Sequence, residues 1–395
     1  MGSLKFITVC PKCRLNRHCI TKAIQRVLVI FNFHRRWQRY WLSCAFKFSL
    51  FLLFIVLAVG EFGCFWWAFC TWRIPKTSRD SLNLLFVSDS QIQGYKGERP
   101  GILGSIARLD SDWYLTKAFF LALSSFSADA VIHLGDLLDE GYIATDDEFQ
   151  EYKVRHDKIF NTPDRISRIH VAGDNDIGGE SRDIITEKTV SRFSENFGPI
   201  NDILRLKSLQ IVKINSLSFL RRWPLRDEQT NYNNTMNFIK ELPLKLHKDK
   251  ISILIGHVPL GLTNKYQVGP MMKLINAVKP RYAFSGHTHK SASFEHEIGS
   301  VVFTEYVVPT CSYRMGTDKI GAAVAVIDVD GSIDFSVLPL PTRYPFFYAY
   351  LVVLCVCVTL ALLILFILRP CFNGIFNRRR IQFISVGRNA TFQCC

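Results

Sequence analysis

Two long apolar runs set the terms on which this chain can fold. Phe48 to Trp72 is 25 residues with one ionisable group, Glu61, and Phe346 to Leu368 is 23 residues with none. At about 1.5 Å of helical rise per residue, each reaches across a hydrocarbon layer about 30 Å thick. Residues 1–47 hold ten Lys and Arg and no acid, and residues 369–395 hold five more and no acid. The remaining 33 basic residues nearly balance 34 acidic ones. Basic flanks stay cytosolic, so two basic tails (1–47 and 369–395) are expected on that side, with transmembrane helices at 48–72 and 346–368 and a lumenal domain at 73–345. Trp66, Trp67 and Trp72, with Tyr348 and Tyr350, fit aromatic belts at one shared interface. The first run is too long, and begins too far along, for the apolar segment of a cleaved leader. The formal charge of +14 sits on the tails rather than on the middle, which argues against a nucleic-acid partner.

Smaller features follow from this division. Val27–Phe33 is too short to span and reads either as a membrane-surface segment or as a partly ordered tail. Glu61 inside the first run is expected to be protonated or turned toward the second helix. Cys311 is the only cysteine between residues 73 and 345, so that domain has no internal disulfide and must rest on a core. Cys10-Pro-Lys-Cys13 with His18-Cys19 has some character of a zinc site, and palmitoylation of the tail cysteines is the competing reading.

The middle domain alternates short apolar runs with amphipathic stretches. Leu84–Ser88, Ala130–Leu134, Ile169–Ala172, Gln210–Ile214, Ile251–Ile255 and Tyr282–Ser285 read as buried strands, followed by Val301–Val307, Gly321–Val329 and Ser332–Leu338. Trp113–Phe126 has helical spacing, and Thr145-Asp146-Asp147-Glu148 is a capping box that opens another helix. Strands alternating with helices, then strands in succession, imply an α/β sandwich.

Five of these strands end on the same kinds of residue: Asp89-Ser90-Gln91, Gly135-Asp136, Gly173-Asp174-Asn175-Asp176, Gly256-His257 and Gly286-His287-Thr288-His289. Ligands of open α/β sheets bind beyond the carboxyl ends of strands. Asp, amide and His donors together suit borderline-to-hard divalent ions rather than a thiolate site.

The order of these motifs resembles that of the calcineurin-like metallophosphoesterases. Placed between two apolar runs, they resemble more specifically the membrane metallophosphoesterases that remodel GPI anchors, over roughly residues 45–370. The resemblance implies an αββα metallophosphoesterase sandwich between two transmembrane helices. It also implies two divalent metal ions, manganese first, with zinc or iron as alternatives. Carried over, Asp89, Gln91 and His289 hold the first ion, Asp136 bridges both, and Asp174, His257 and His287 complete the second. The implied reaction removes ethanolamine phosphate from the GPI glycan in the ER, at ER exit sites or in the Golgi. GPI-anchored proteins or the free glycan are then the substrate, with membrane lipid and cargo receptors as further partners.

The chain departs from the family pattern at two places. Gln91 stands where most relatives have His. Asp174-Asn175 stands where they have an Asn-His pair: Asp174 can replace the Asn ligand and adds charge that binds metal more firmly, while Asn175 takes the place of the histidine that protonates the leaving group, and an amide is no general acid near neutral pH. Either another acid serves, with Asp176 or metal-bound water as candidates, or the leaving group needs little help, or turnover is slow. Asp139 and Glu140 read as receivers for a substrate ammonium or as an acidic loop, and Tyr313 and Arg314 as contacts to phosphate or glycan. His133, His156, His170, His247 and His296 lie outside any motif and read as structural. Two further readings are a phosphoesterase for another lipid or sugar phosphoester and a metal-binding pseudoenzyme acting as a cargo adaptor. The topology predicts glycosylation of Asn233, in Asn233-Asn234-Thr235, and none of Asn389. An endoglycosidase-sensitive mass shift that is lost in Asn233→Gln and unchanged in Asn389→Gln checks it.

Overall fold

In the computed structural model of the chain, residues 17–97, 99–180, 183–221, 223–263 and 267–386 are described. Cys10, Cys13 and the Asn389 sequon lie outside them. The chain forms two units, one of residues 62–343 and one of the arms on either side of it.

Helix α1 (Arg17–Ala58) passes through one wide turn, Val59–Gly63, into α2 (Cys64–Cys70). The domain then runs β1 (Leu82–Val87), α3 (Ile102–Ser125), β2 (Ala130–His133), α4 (Asp146–Ile159) and β3 (Ser167–His170). It continues through α5 (Asp174–Ile177), α6 (Glu187–Phe197), β4 (Asp202–Leu206), β5 (Leu209–Lys213), α7 (Gln229–Lys245), β6 (Ile251–Ile255) and α8 (Val268–Val278). β7 (Tyr282–Ser285), β8 (Ala292–Ile298), β9 (Val301–Val307), β10 (Gly321–Ile327) and β11 (Ile333–Pro339) complete it.

These strands make two sheets, ordered β11-β10-β1-β2-β3 and β4-β5-β6-β7-β9-β8. Strand alternation places Leu84, Phe86, Ile132 and Ile169 on the inner face of the first sheet, against Ile211, Ile253, Ile255 and Phe284 of the second. Phe86 and Phe284 stack across the interface with ring centroids 4.3 Å apart. On the outer face of the second sheet, Val212, Leu254 and Ala283 meet Ile239 and Leu242 of α7 and Leu274 and Ile275 of α8. On the outer face of the first, Val87 lies with Leu115, Ala118 and Phe119 of α3. The layers are helix, sheet, sheet, helix: the αββα order the sequence implies. The helix at α4 opens on the expected capping box, Thr145 with Glu148.

β4 and β8 escape the sequence reading for one physical reason. They are the two edges of the second sheet, half exposed, and carry charged and polar residues in place of an apolar run. The first apolar run enters both units, since the division falls between Glu61 and Phe62. Its last part belongs to the domain unit: Cys64, Phe65 and Ala68 are buried, Phe65 packs on Tyr114 of α3 at 5.3 Å, and the Trp72 indole donates to the Pro339 carbonyl at 2.7 Å.

In the other unit α1 pairs with α9 (Tyr344–Val386). Cys357 Sγ lies 3.3 Å from Ser49 Oγ, and the Tyr350 hydroxyl donates to Glu61 at 3.2 Å, so Glu61 turns to the second helix as expected. Val27–Phe33 is a continuous part of α1 and not a separate segment. Segments 36–70 and 344–366 are long and apolar enough to cross a membrane.

Inside the domain the Arg343 guanidinium, 2% exposed, is paired with Asp110, which also accepts the Tyr313 hydroxyl at 2.7 Å. Removing that carboxylate leaves a buried cation without its countercharge. Asp110→Ala is expected to cost about 3 kcal/mol and roughly 6–12 °C in Tm, measured by thermal melting of the detergent-solubilised chain.

Candidate metal centre

β1, β2 and β3 of the first sheet and β6 and β7 of the second end at one edge of the sandwich, and the turns that follow converge there. Asp89, Gln91, Asp136, His287 and His289 all have left-handed backbone, with φ of 49°, 42°, 51°, 66° and 61°. Such a conformation costs a non-glycine residue about 1–2 kcal/mol, and strain of this kind persists only where the surroundings over-determine it. Hydrogen bonds between turns supply that constraint. Asp89 N donates to Gly135 O at 3.1 Å, Gln91 N to Asp136 O at 2.9 Å, and Gly286 N to His257 O at 2.8 Å. A Cβ on Gly173 would stand 2.2 Å from Asp136 N and Oδ1, so only glycine lets these turns approach.

Two groups of donors result: Asp174, His257 and His287, and Asp89, Asp136 and His289, each with one ligand atom per residue within 4.8 Å of the others. In the first, Asp174 Oδ1 is 3.1 Å from both His257 Nε2 and His287 Nδ1. His257 Nδ1 lies 2.7 Å from the Leu134 carbonyl. That bond places a proton on Nδ1 and turns Nε2 toward Asp174 and the cleft. In the second, His289 Nε2 is 3.6 Å from Asp89 Oδ1. The groups meet where Asp136 Oδ1 lies 3.5 Å from His257 Nε2.

The electrostatics are those of acids crowded out of water. Burial pushes the Asp136 carboxyl well up, against the pull of His257, and Asp174, Asp89 and Asp176 push it further. Burial opposes charge on His257, yet Asp136, Asp174 and Asp89 outweigh it and hold the imidazole well above its usual range. Asp174 is also buried, and hydrogen bonds from His257 and His287 keep it below the usual carboxylate range. Asp89 Oδ1 is buried with no hydrogen-bond partner. Oxygen and imidazole donors, a crowd of acids and one orphaned carboxylate oxygen fit a divalent metal ion.

Other expected residues have different duties. Gln91 reaches the cluster, but its amide nitrogen donates to Asp136 Oδ2 at 3.1 Å. Asn175 holds the same carboxylate from the other side, its backbone N on Oδ1 at 3.0 Å and its Nδ2 on Oδ2 at 2.9 Å. Asp176 does not face the cleft as a proton donor. It is fully buried and accepts the amides of Leu137, Leu138 and Gly173 at 3.2, 2.9 and 2.9 Å. Burial pushes it up to about 6 in spite of those bonds. It fastens the turn that carries Asp136. Glu140 likewise accepts the amides of Tyr95 and Lys96 at 2.9 Å and that of Gly97, so it is a loop clamp and no ammonium receiver. Asp139 is 3.7 Å from Arg314. Glu180, which the sequence reading passed over, lies 3.9 Å from His287 Nε2 at the rim. Its one signal is an acid just past the Gly173-Asp174-Asn175-Asp176 motif.

The calcineurin-like phosphoesterase family matches residues 82–291. Metallophosphoesterase 1 homolog of Drosophila melanogaster is 27% identical over 322 residues, covering 70% of this chain and 81% of the relative. The homolog of Caenorhabditis elegans is 25% identical over 312 residues, covering 71% and 81%. Among solved structures, GAP50, the anchor in the inner membrane complex of Plasmodium, is 11% identical with a TM-score of 0.42 and covers 66% of this chain and 84% of that one.

Because a Cβ at position 173 collides with Asp136, Gly173→Ala should displace that carboxylate while leaving the core packed. The expected result is a loss of about 10²-fold or more in kcat/KM on a chromogenic phosphoester, read beside an unchanged far-UV circular dichroism spectrum.

Proposed function

Since the chain belongs to the calcineurin-like phosphoesterase family, we propose that this metal-dependent phosphoesterase is a dinuclear phosphodiesterase anchored by two membrane spans. One observation carries the reading: two three-donor groups lie side by side, with Asp136 set between them. Divalent ions in such a pair withdraw charge from phosphoryl oxygens and lower the pKa of water. Asp89, Gln91, Asp136 and His289 are assigned to one ion, and Asp136, Asp174, His257 and His287 to the other, with manganese as the resident metal.

The chain's own residues then do four things. Asn175 and Gln91 orient the Asp136 carboxylate from two sides. The Leu134 carbonyl fixes the His257 tautomer. Asp176 holds the turn after β2. Asn175 supplies hydrogen bonds and no proton, so the leaving oxygen must depend on charge stabilisation more than on acid catalysis.

The substrate in this proposal is the ethanolamine-phosphate branch of a GPI glycan, processed on the lumenal side of the ER, its exit sites or the Golgi. The motif resemblance and the relatives named metallophosphoesterase 1 support it. So do the basic tails outside both apolar helices, which favour cytosolic termini. GPI-anchored proteins are the partners implied, and export cargo receptors follow from them.

Metal content and phosphodiester hydrolysis of the full chain in detergent, wild type beside Asp136→Asn, test the chemistry. About two equivalents of Mn²⁺, with turnover reduced about 10³-fold in the variant, are expected. Metal without turnover on a chromogenic diester or on ethanolamine-phosphate glycan would leave a metal-binding cargo adaptor. Turnover on other phosphoesters alone would move the substrate away from GPI.

A further inference from the structure

Away from the cleft, on the face of the first sheet that the helices cover, three imidazoles meet. His133 of β2 and His170 of β3 are register partners on adjacent parallel strands and stack with ring centroids 4.9 Å apart. His156 of α4 comes to 5.1 Å from the first and 5.3 Å from the second. Phe119, Phe160 and Phe197 wall the cluster.

His133 and His156 are each 1% exposed, and neither ring nitrogen of His133 nor Nε2 of His156 has a hydrogen-bond partner. A neutral imidazole carries one N–H donor and one acceptor lone pair, and burying both without partners is costly. Buried polar atoms left unpaired in one place point to an ion or water that belongs there. One nitrogen from each of the three rings lies within 4.8 Å of the others. Three imidazoles on a tetrahedral ion, at about 2.0–2.1 Å from it, stand about 3.3 Å apart, so the rings have to draw in to close on one.

The surroundings agree. Asp157 Oδ1 is 3.5 Å from His156 Nδ1, the outer carboxylate that a ligating histidine commonly has, which leaves Nε2 for the ion. The donor group is made of three imidazoles, which suits an ion with high affinity for nitrogen better than Mg²⁺ or Mn²⁺.

We propose that His133, His156 and His170 form a structural site for one Zn²⁺-type ion, separate from the cleft, that pins α4 to the first sheet. The pinned helix carries Tyr152, whose hydroxyl accepts the Tyr95 amide at 3.0 Å in the loop after Gln91.

The test uses the full chain in detergent with every cleft imidazole and the bridging acid removed (Asp136→Ala, His257→Ala, His287→Ala, His289→Ala) and the tail thiols replaced (Cys10→Ser, Cys13→Ser, Cys19→Ser), stripped by chelator and titrated with Co²⁺ or Zn²⁺. One equivalent should bind, with the visible bands of tetrahedral Co²⁺, a rise in Tm on adding Zn²⁺ and three imidazole nitrogens by X-ray absorption at the zinc edge. His133→Phe, His156→Phe and His170→Phe on that background, apolar and similar in size, should abolish all three signals. No binding by the cleft-disabled chain, fewer than three imidazoles at the zinc, or binding that survives the Phe substitutions overturns the proposal. If the Phe chain fails to fold, the ligand count at the zinc edge decides without it. The outcome is independent of whether the cleft hydrolyses phosphodiesters.

Discussion

Asp89, Asp136, Asp174 and Asp176 are 0%, 2%, 7% and 0% exposed, and all four stand at the same edge of the sandwich. Burying even one carboxylate is unfavourable unless it is paired and hydrogen-bonded. The fold answers each differently. Three backbone amides absorb Asp176, two imidazoles absorb Asp174, and Asn175 with Gln91 holds Asp136. Asp89 is only half answered: Oδ2 accepts Ser88 Oγ at 2.5 Å and His287 N at 3.2 Å, while Oδ1 accepts nothing. The carboxylate oxygen left without a hydrogen bond is thus on Asp89, beside the crowded Asp136, and a cation is the partner that suits it.

That concentration is possible because the donors come from two sheets. The first brings the carboxylates of Asp89, Asp136 and Asp174, and the second brings His257, His287 and His289. The separation of acid and imidazole is thus set by how the sheets pack, with the Phe86–Phe284 stack and the apolar layer around it as the spacer. Left-handed backbone at four of these positions, Asp89, Asp136, His287 and His289, aims the side chains inward. A close-packed interior transmits strain rather than relaxing it, so the same core that stabilises the domain keeps those turns in place. Substitutions between the sheets should be felt at the site for this reason, although they touch no donor.

The parts of this picture that were legible in the sequence are those governed by period and order. Buried strands announce themselves as apolar runs, and an Asp or His behind a Gly at four strand ends, with Asp89 behind Ser88 at a fifth, is visible in the sequence. What stayed hidden depends on directions within loops. Asp176 and Asn175 sit in one motif, yet one turns into backbone amides and the other onto Asp136, which spacing alone does not reveal. Glu140 sits beside Asp139 and is consumed by the loop at 95–97. The edge strands β4 and β8 lack an apolar run because one side of each meets solvent. His133, His156 and His170 looked unremarkable one by one, since their meeting requires parallel pairing of β2 with β3 and a helix laid over them.

Asn175 is where the chain's chemistry differs most from the family pattern, and its contacts give the difference a physical sense. An imidazole at this position can lend a proton to the departing oxygen, whereas the amide gives two donors to one carboxylate, from N and from Nδ2. The exchange trades proton transfer for a more firmly oriented Asp136. Acid catalysis contributes typically about 10²–10⁴-fold, so its loss has to be met by stabilising the charge that develops on the leaving oxygen, a task preorganised charge performs well in a water-poor site. The extra negative charge of Asp174, standing where the family places an amide, works in the same direction by strengthening the hold on a cation. The two substitutions are therefore read as one adjustment, which shifts the site from proton donation toward charge stabilisation.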